Sequence, residues 1–399
     1  MMPISEVFKY INVFKRNVSE NSREKAIYAL RLLYIFCHLF KVESLKNLDN
    51  ATINNLKNFL KGYSIVGNNY SLKLVTQRSH DTINSYLSIY RSYFSFLGYE
   101  DSFIFNTDNR FSYIHYNESY SPKIVPTYKS SEKVYTPVNT TPKYISVEEF
   151  RKILKVIRKY FSACEEIIVR LMFQCGLRIG EVMGLTLDDV FVENELNGYV
   201  PVVYIRNRCS DKDFQHAKTC MLPVTQNQYK QKDYNIPGFG FQKVFITEDF
   251  MDIIDDYIND KHLFAREYKK DNYNRYAIAD RIRASESYED PNYYIFLNTQ
   301  GKPLSIDTWN KRLRKIFNLA GVKADKEVRK NNLNHRFRHG FAMFHVKYRN
   351  TDIVKLQELM RQKDLSSLYC YYNPTLEDEI KLKNEFIEDL YNLIPELKK

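Results

Sequence analysis

The sequence of 399 residues predicts a mainly α-helical protein with one small antiparallel β-sheet. Three observations carry that expectation. Apolar residues recur at helical spacing through the first quarter and the last quarter of the chain. Strand-like apolar runs are short and few, at residues 202–205, 221–224 and 294–297. A polar stretch holding Pro122, Pro126, Pro137 and Pro142 lies between them and punctuates two domains. The expected layout is a helical domain over 1–112, an extended linker over 113–145, and an α+β domain over 146–399.

In the first domain, Leu30, Leu33, Phe36 and Leu39 mark a helix within residues 23–40. Asp49 can cap a second helix carrying Ile53, Leu56, Phe59 and Leu60. A third runs from Asp81 to Leu97 with Ile83, Tyr86, Leu87, Tyr90 and Phe94 on its apolar stripe. Arg78 and His80 precede it, and Thr82, Asn84 and Arg91 lie on its polar face. Lys and Arg outnumber Asp and Glu here. The region reads either as a DNA-gripping bundle, with those five residues as candidate contacts, or as a bundle with a solvated face.

The second domain opens with a capping box, Ser146 at the N-cap and Glu149 three residues on. Phe150, Ile153, Leu154 and Ile157 follow at helical spacing. Another helix from about Glu165 to Gln174 ends at Gly176, and a short one follows from Arg178 to Leu185. Residues 202–205 and 221–224 read as two strands around a polar turn. Residues 226–241 and 266–292 are polar and read as surface insertions, and 294–297 as a short strand before a Gly301 bend. Helices are expected over about 306–320, 336–348, 353–361 and 377–393.

Composition narrows the function classes. The apolar fraction is 44%, with 12 Gly and 12 Pro, so the chain reads as globular rather than disordered. Net charge is +11, which suits a polyanionic partner because Lys and Arg near phosphates release counterions. The six cysteines form no CxxC pair and no Cys/His cluster at zinc spacing. No apolar run reaches membrane-spanning length, and nothing reads as a signal peptide. The expected location is the cytoplasm.

Four local patterns carry the chemistry. In Gly176-Leu177-Arg178-Ile179-Gly180-Glu181, an arginine follows a glycine turn with a carboxylate three residues on to fix its fork. Lys218 lies in a polar turn, where a flexible ammonium can protonate a leaving oxygen; Lys212 lies in the same turn. His335-Arg336-Phe337-Arg338-His339 puts His335 and Arg338 on one helix face. Last comes Tyr369-Cys370-Tyr371-Tyr372. Each alone is weak.

In this order the four resemble the catalytic domain of the tyrosine recombinases, the phage-integrase family. The match to His335-Arg336-Phe337-Arg338-His339-Gly340-Phe341-Ala342 is close, and Leu187-Asp188-Asp189-Val190 resembles the family's turn after the arginine box. The resemblance implies a helical core-binding domain and a catalytic domain that clamp double-stranded DNA at a recombination site. Tyr371 would attack a backbone phosphorus, giving a 3′-phosphotyrosyl link, with Tyr372 the alternative nucleophile and Tyr369 a more distant one. Arg178 and Arg338 would hold nonbridging oxygens, His335 would help deprotonate the tyrosine, and Lys218 would protonate the leaving 5′-oxygen. Glu181 would orient Arg178. His339 would support the site or serve packing alone. Gln362 stands where the family has a histidine or tryptophan; it can donate a hydrogen bond but carries no proton.

No metal, ATP or other cofactor is implied, because the phosphotyrosyl bond conserves the phosphoester energy. The family acts as a DNA-bound tetramer through a Holliday junction. Ile380, Phe386, Ile387, Leu390, Leu393 and Ile394 form an apolar face that would dock on a neighbouring protomer or pack on its own domain. The polar insertions point to mobile-element members. Two rival readings are a type IB topoisomerase and a DNA-binding accessory protein that no longer cuts.

Overall fold

The computed structural model describes residues 5–16, 18, 20–62, 65–67, 70–72, 77–116, 119–133, 141–195, 198–282, 291–324, 332–373 and 376–395. It divides into two compact units, Met1–Thr136 and Pro137–Lys399. Each is mainly helical with a small antiparallel sheet or hairpins.

In the first unit, α1 (Ser5–Lys9) runs into a π turn, Tyr10–Phe14. The helices α2 (Glu20–Leu39), α3 (Asn50–Lys61) and α4 (His80–Phe96) enclose a core of Leu30, Leu33, Phe36, Ile53, Leu56, Leu60, Leu87 and Phe94. Asp49 caps α3 by accepting from the Thr52 backbone N–H at 2.8 Å, and Gly62 closes it in a left-handed conformation. Two hairpins complete the unit. β1 (Ile65–Gly67) pairs with β2 (Tyr70–Leu72), and β3 (Thr107–Tyr116) with β4 (Ser119–Tyr128).

The second hairpin corrects the linker reading, because β4 lies wholly within the 113–145 stretch and carries Pro122 and Pro126. Proline lacks the N–H for a central strand but is tolerated in a two-stranded ribbon, where alternate N–H groups face away from the partner. Counting prolines therefore overstated the break.

The second unit is organised around α6 (Ala163–Gln174), whose residues Cys164–Phe173 are all buried. It is wrapped by α5 (Val147–Tyr160), α8 (Glu248–Tyr268) and α11 (Asn332–Arg349). The Ser146–Glu149 capping box forms in both directions, at 3.0 and 3.1 Å. α11 approaches α6 closely at Gly340, where a Cβ would meet the Ile145 carbonyl at 2.5 Å and the Phe173 ring at 2.6 Å. Trp309, on α10 (Ile306–Leu319), is fully buried and donates to Asn334 Oδ1 at 2.6 Å, tying α10 to the start of α11.

The sheet is antiparallel, with β6 (Gly198–Arg206) between β5 (Val190–Glu195) and β7 (Phe241–Phe245). This changes the expected hairpin. Residues 221–224 form no strand; Leu222 and Val224 are exposed, and Pro223 offers no N–H. The partner of β6 is β7, and residues 207–240 form a long excursion between them. The two polar segments lie mostly at the surface, as expected, but buried tyrosines anchor them. Tyr229, Tyr234 and Tyr273 are buried, and Tyr273 stacks on Tyr293 with centroids 3.9 Å apart. Residues 266–276 end α8 and form α9 (Lys270–Tyr276). These tyrosines can be buried because their hydroxyls find partners, Tyr229 donating to Asp280 at 2.9 Å and Tyr234 to the Asn207 carbonyl at 2.5 Å.

Candidate active site

Four chain segments of the second unit bring the candidate residues together. The first is the turn between α6 and α7 (Ile179–Met183). Gly176 has φ +62, and a Cβ there would meet the Phe341 ring at 2.8 Å, so glycine is required twice over. The turn places Arg178 at the N-cap of α7. Its backbone N–H donates to Glu181 Oε2 at 2.7 Å, and its Nη1 to Oε1 at 2.8 Å. Glu181 is 2% exposed. Burial pushes its carboxyl up, but Arg338, Arg178 and Arg361 together hold it below the usual range.

The second segment is α11, which carries His335, Arg338 and His339. Arg338 is buried; its guanidinium donates to the carbonyls of Gly176 and Met360, with Nη1 4.0 Å from Glu181 Oε2. The imidazole of His335 is held below its ordinary range by burial, then by the charges of Arg338, Lys218 and Arg178. Lys218 and both arginines therefore act on the same ring. His339 is pushed down to about 4 by burial, then by His335 and Arg338.

The third segment is the turn with Lys218, which is exposed. Its geometry is set by one buried side chain, Asn207, just beyond β6. Asn207 Nδ2 donates to the carbonyls of Ala217, Cys220 and Met221 at 3.0, 3.2 and 3.1 Å, and its Oδ1 accepts from the Ala217 N–H at 2.7 Å. The base of the excursion is fixed at Asp189, which accepts from Arg206 at 2.8 Å and Arg208 at 2.6 Å. Lys212 is exposed as well, at the start of a short turn closed by Gln215.

The fourth segment follows α12 (Ile353–Met360). α13 (Tyr369–Tyr372) is a single turn whose three tyrosines diverge. Tyr369 is 54% exposed. Tyr372 donates to the Thr351 carbonyl at 2.6 Å, and burial and Asp352 raise its pKa. Tyr371 is 3% exposed, with its hydroxyl 2.5 Å from His339 Nδ1. Burial, then Cys370, raises the Tyr371 phenol, while Arg338 and Arg178 pull it down. The neutral ring can accept the phenolic proton at Nδ1 in the tautomer that carries its hydrogen on Nε2. Of the three tyrosines weighed from the sequence, Tyr371 is the one on which Arg338 and Arg178 act.

Gln362 follows α12. Its Oε1 accepts from Ser367 Oγ at 2.5 Å. An open cleft of about 400 Å³ lies beside it, lined by Thr219, Gln242, Lys243, Gln357, Glu358, Arg361, Gln362 and Lys363 among others. Sequence reasoning missed Arg361, which adjoins Gly176 and Arg338, and Asn207. Arg361 immediately precedes Gln362, so an arginine there was a visible signal; nothing in the sequence marked Asn207.

The five N-terminal candidates are in the first unit. Asn84 donates to the Glu132 carbonyl at 3.0 Å and accepts from its N–H at 2.8 Å; His80 Nδ1 lies 2.9 Å from the Lys133 carbonyl. Arg91 donates to Ser130 at 3.2 Å and covers the Tyr128 ring, and Arg78 donates to Tyr28 at 3.0 Å. The Thr82 hydroxyl lies 3.0 Å from that of Ser79. Three of these residues thus hold the chain's own 128–133 segment against α4.

No protein-family model matches the chain. A tyrosine recombinase XerC from Caldanaerobacter subterraneus subsp. tengcongensis is 22% identical over 230 residues, 58% of this chain, and the match spans 47% of that protein, about half its length. Among solved structures, the XerH site-specific recombinase bound to difH substrate in a pre-cleavage complex superposes with a TM-score of 0.53 at 17% identity, covering 92% of this chain and 81% of that one. Its post-cleavage complex on palindromic difH gives 0.55 at 17%, covering 92% and 80%. The Tn1549 transposon integrase in complex with transposon right end DNA gives 0.51 at 15%, covering 96% and 99%. These likenesses establish the fold.

Proposed function

We propose that this chain, which shares its fold with tyrosine recombinases, is itself one and cuts and rejoins DNA at a specific site through Tyr371. The observation that carries the reading is the buried Tyr371 hydroxyl, held by His339 and drawn on by the charges of Arg178 and Arg338.

In the proposed step, Tyr371 Oη bonds to a backbone phosphorus while the bond to the 5′-oxygen breaks. The phenolic proton passes to His339 Nδ1, the ring in contact with it. His335, beside Arg338 and Lys218, hydrogen-bonds the phosphate. Arg178 and Arg338 stabilise the added negative charge on the nonbridging oxygens, and such stabilisation usually lowers the barrier more than any other effect. Lys218 donates a proton to the departing 5′-oxygen. The 3′-phosphotyrosyl bond keeps the phosphoester energy, so rejoining reverses the step without ATP or metal.

Gln362, with Oε1 engaged by Ser367, has its amide N–H groups to offer a phosphate oxygen. The first unit supplies basic residues for the DNA backbone, Arg78 and Arg91 among the candidates. We further propose a tetramer on DNA, supported by α14 (Leu376–Leu393) and its neighbour Ile394, where Ile380, Phe386 and Ile394 are exposed. A reaction between DNA strands places the protein with DNA inside the cell. No helix among the described residues is long and apolar enough to cross a membrane.

The test is a pool of nicked suicide duplexes with randomised arms, incubated with the protein and resolved on a denaturing gel. A covalent adduct is expected, and sequencing the trapped DNA yields site and cleavage position together. No adduct from the full pool would replace this reading with a non-cutting accessory role, and vigorous site-indifferent relaxation of supercoiled plasmid would replace it with a topoisomerase.

A further inference from the structure

Three guanidinium groups converge near one buried carboxylate. Arg178 pairs with Glu181 at 2.8 Å, and Arg338 lies 4.0 Å from the same carboxylate. The third is Arg361. Its Nη2 donates to the carbonyls of Cys175 at 3.1 Å and Gly176 at 3.2 Å, and its Nη1 to that of Leu359 at 3.0 Å. Gly176 O also accepts from Arg338, so the two guanidinium groups share one acceptor. Arg361 Nε is buried without a hydrogen-bond partner.

The backbone supplies an independent observation. Arg361 ends α12 in the left-handed conformation, φ 53, which glycine adopts freely and a long side chain does not. The chain keeps an arginine at this strained position, and its side chain reaches back to the turn that carries Arg178.

The charges do not balance. Glu181 is the one carboxylate paired with these arginines among the described residues, so a buried site keeps surplus positive charge. Surplus buried charge is costly unless an anion completes it. A phosphodiester does so, and a pentacoordinate phosphorus with its extra negative charge does so better.

We propose that Arg361 is a third cation of the phosphate site: a positioning residue that fixes the Gly176 turn and adds its charge to the field of Arg178 and Arg338, beside a Gln362 that cannot be charged. This rests on the strand-cleavage reading above.

The experiment uses the full chain and the duplex recovered with the adduct, resynthesised with either a normal phosphate or a neutral methylphosphonate at the scissile position. Arg361→Gln removes the charge and Arg361→Lys keeps it; melting midpoints accompany both. Arg361→Gln is expected to slow adduct formation on the normal duplex by roughly tenfold or more. Arg361→Lys should recover most of that, and the Gln defect should shrink on the methylphosphonate. Unchanged cleavage by Arg361→Gln overturns the inference. So does a defect that Lys fails to relieve and that is equally large on neutral phosphorus, since that is loss of structure alone. Should the parent chain form no adduct with any duplex, the strand-cleavage reading falls separately and a DNA-free measurement decides. The rise in melting midpoint in sodium sulfate over sodium chloride at equal ionic strength should be smaller in Arg361→Gln than in the parent; an equal rise overturns the inference.

Discussion

The Tyr371 hydroxyl and Nδ1 of His339 share a hydrogen bond 2.5 Å long. One residue would be the nucleophile and the other the first acceptor of its proton. His339→Phe keeps the ring's volume and removes the acceptor. Adduct formation in single turnover should fall by about a hundredfold, the low end for a lost general base. A rate within a few-fold of the parent would return the proton to His335.

The same pair predicts a pH dependence of stability. Burial, then His335 and Arg338, pushes His339 down to about 4, against 6.5 for the free ring. The unfolded chain takes up this proton as pH falls through 6.5, while the folded chain resists until about 4. Stability from this group is complete above 6.5 and is lost progressively towards 4. His335 is shifted in the same direction and adds to the slope. Melting midpoints between pH 7 and 4.5 should decline, and His339→Phe should decline less steeply.

Tyr371→Phe and Tyr372→Phe should separate cleanly. The first should abolish the adduct, with a small change in melting because one buried hydrogen bond is lost. The second breaks the bond to the Thr351 carbonyl and should cost about 1 kcal/mol while the adduct persists. An adduct from Tyr371→Phe on the denaturing gel would move the nucleophile to Tyr372.

Asn207 should behave as the keeper of Lys218. Asn207→Ala releases three carbonyls and one N–H of the 217–221 turn, so both melting and cleavage should drop. A duplex with sulfur in place of the scissile 5′-oxygen has a leaving group that needs no proton donor. On it the cleavage defects of Asn207→Ala and Lys218→Ala should both shrink, while that of Arg178→Ala should not. No recovery for Asn207→Ala would mean it acts on folding alone.

Glu181→Ala strips the arginines of their buried counter-charge. Removing one partner of such a cluster costs about 3–5 kcal/mol. The midpoint in a urea titration should fall sharply, and one close to the parent's would show the arginines already neutralised by other groups.

Where apolar periodicity was strong, the fold was legible in the sequence: α3, α4, α5 and α10 start at Asp49, Ser79, Ser146 and Ser305 caps or boxes that local chemistry specifies. Residues 207–240 were not, because their order comes from Asn207, Arg208 and tyrosine hydroxyls finding distant partners, which no local period encodes. The proline stretch misled for a related reason, since a two-stranded ribbon tolerates prolines that a larger sheet would reject. In the site, Arg178, Arg338 and Glu181 were legible from spacing. The contact of His339 with Tyr371 was not, because it depends on how α13 turns after Leu368 is buried. Arg361 was visible as an arginine beside Gln362, but its role was not, because that comes from a left-handed backbone and a long reach to the Gly176 turn, neither of which spacing reveals.

Arg206 and Phe241 face each other as register partners across β6 and β7. The chain thus leaves the sheet and returns to it at one rung, and everything between is a cassette with both ends already closed. Closure entropy grows slowly with loop length, so such a cassette can be lengthened, trimmed or exchanged without moving the strands. Its anchors would have to travel with it: Asn207, the Tyr234 hydroxyl that grips the Asn207 carbonyl, Arg208 that pairs with Asp189, and Gln215 that donates to the Met183 carbonyl. A chimera built by cutting at that rung carries the proposed proton donor, Lys218, as an interchangeable part, while the arginines and the tyrosine stay behind in the frame.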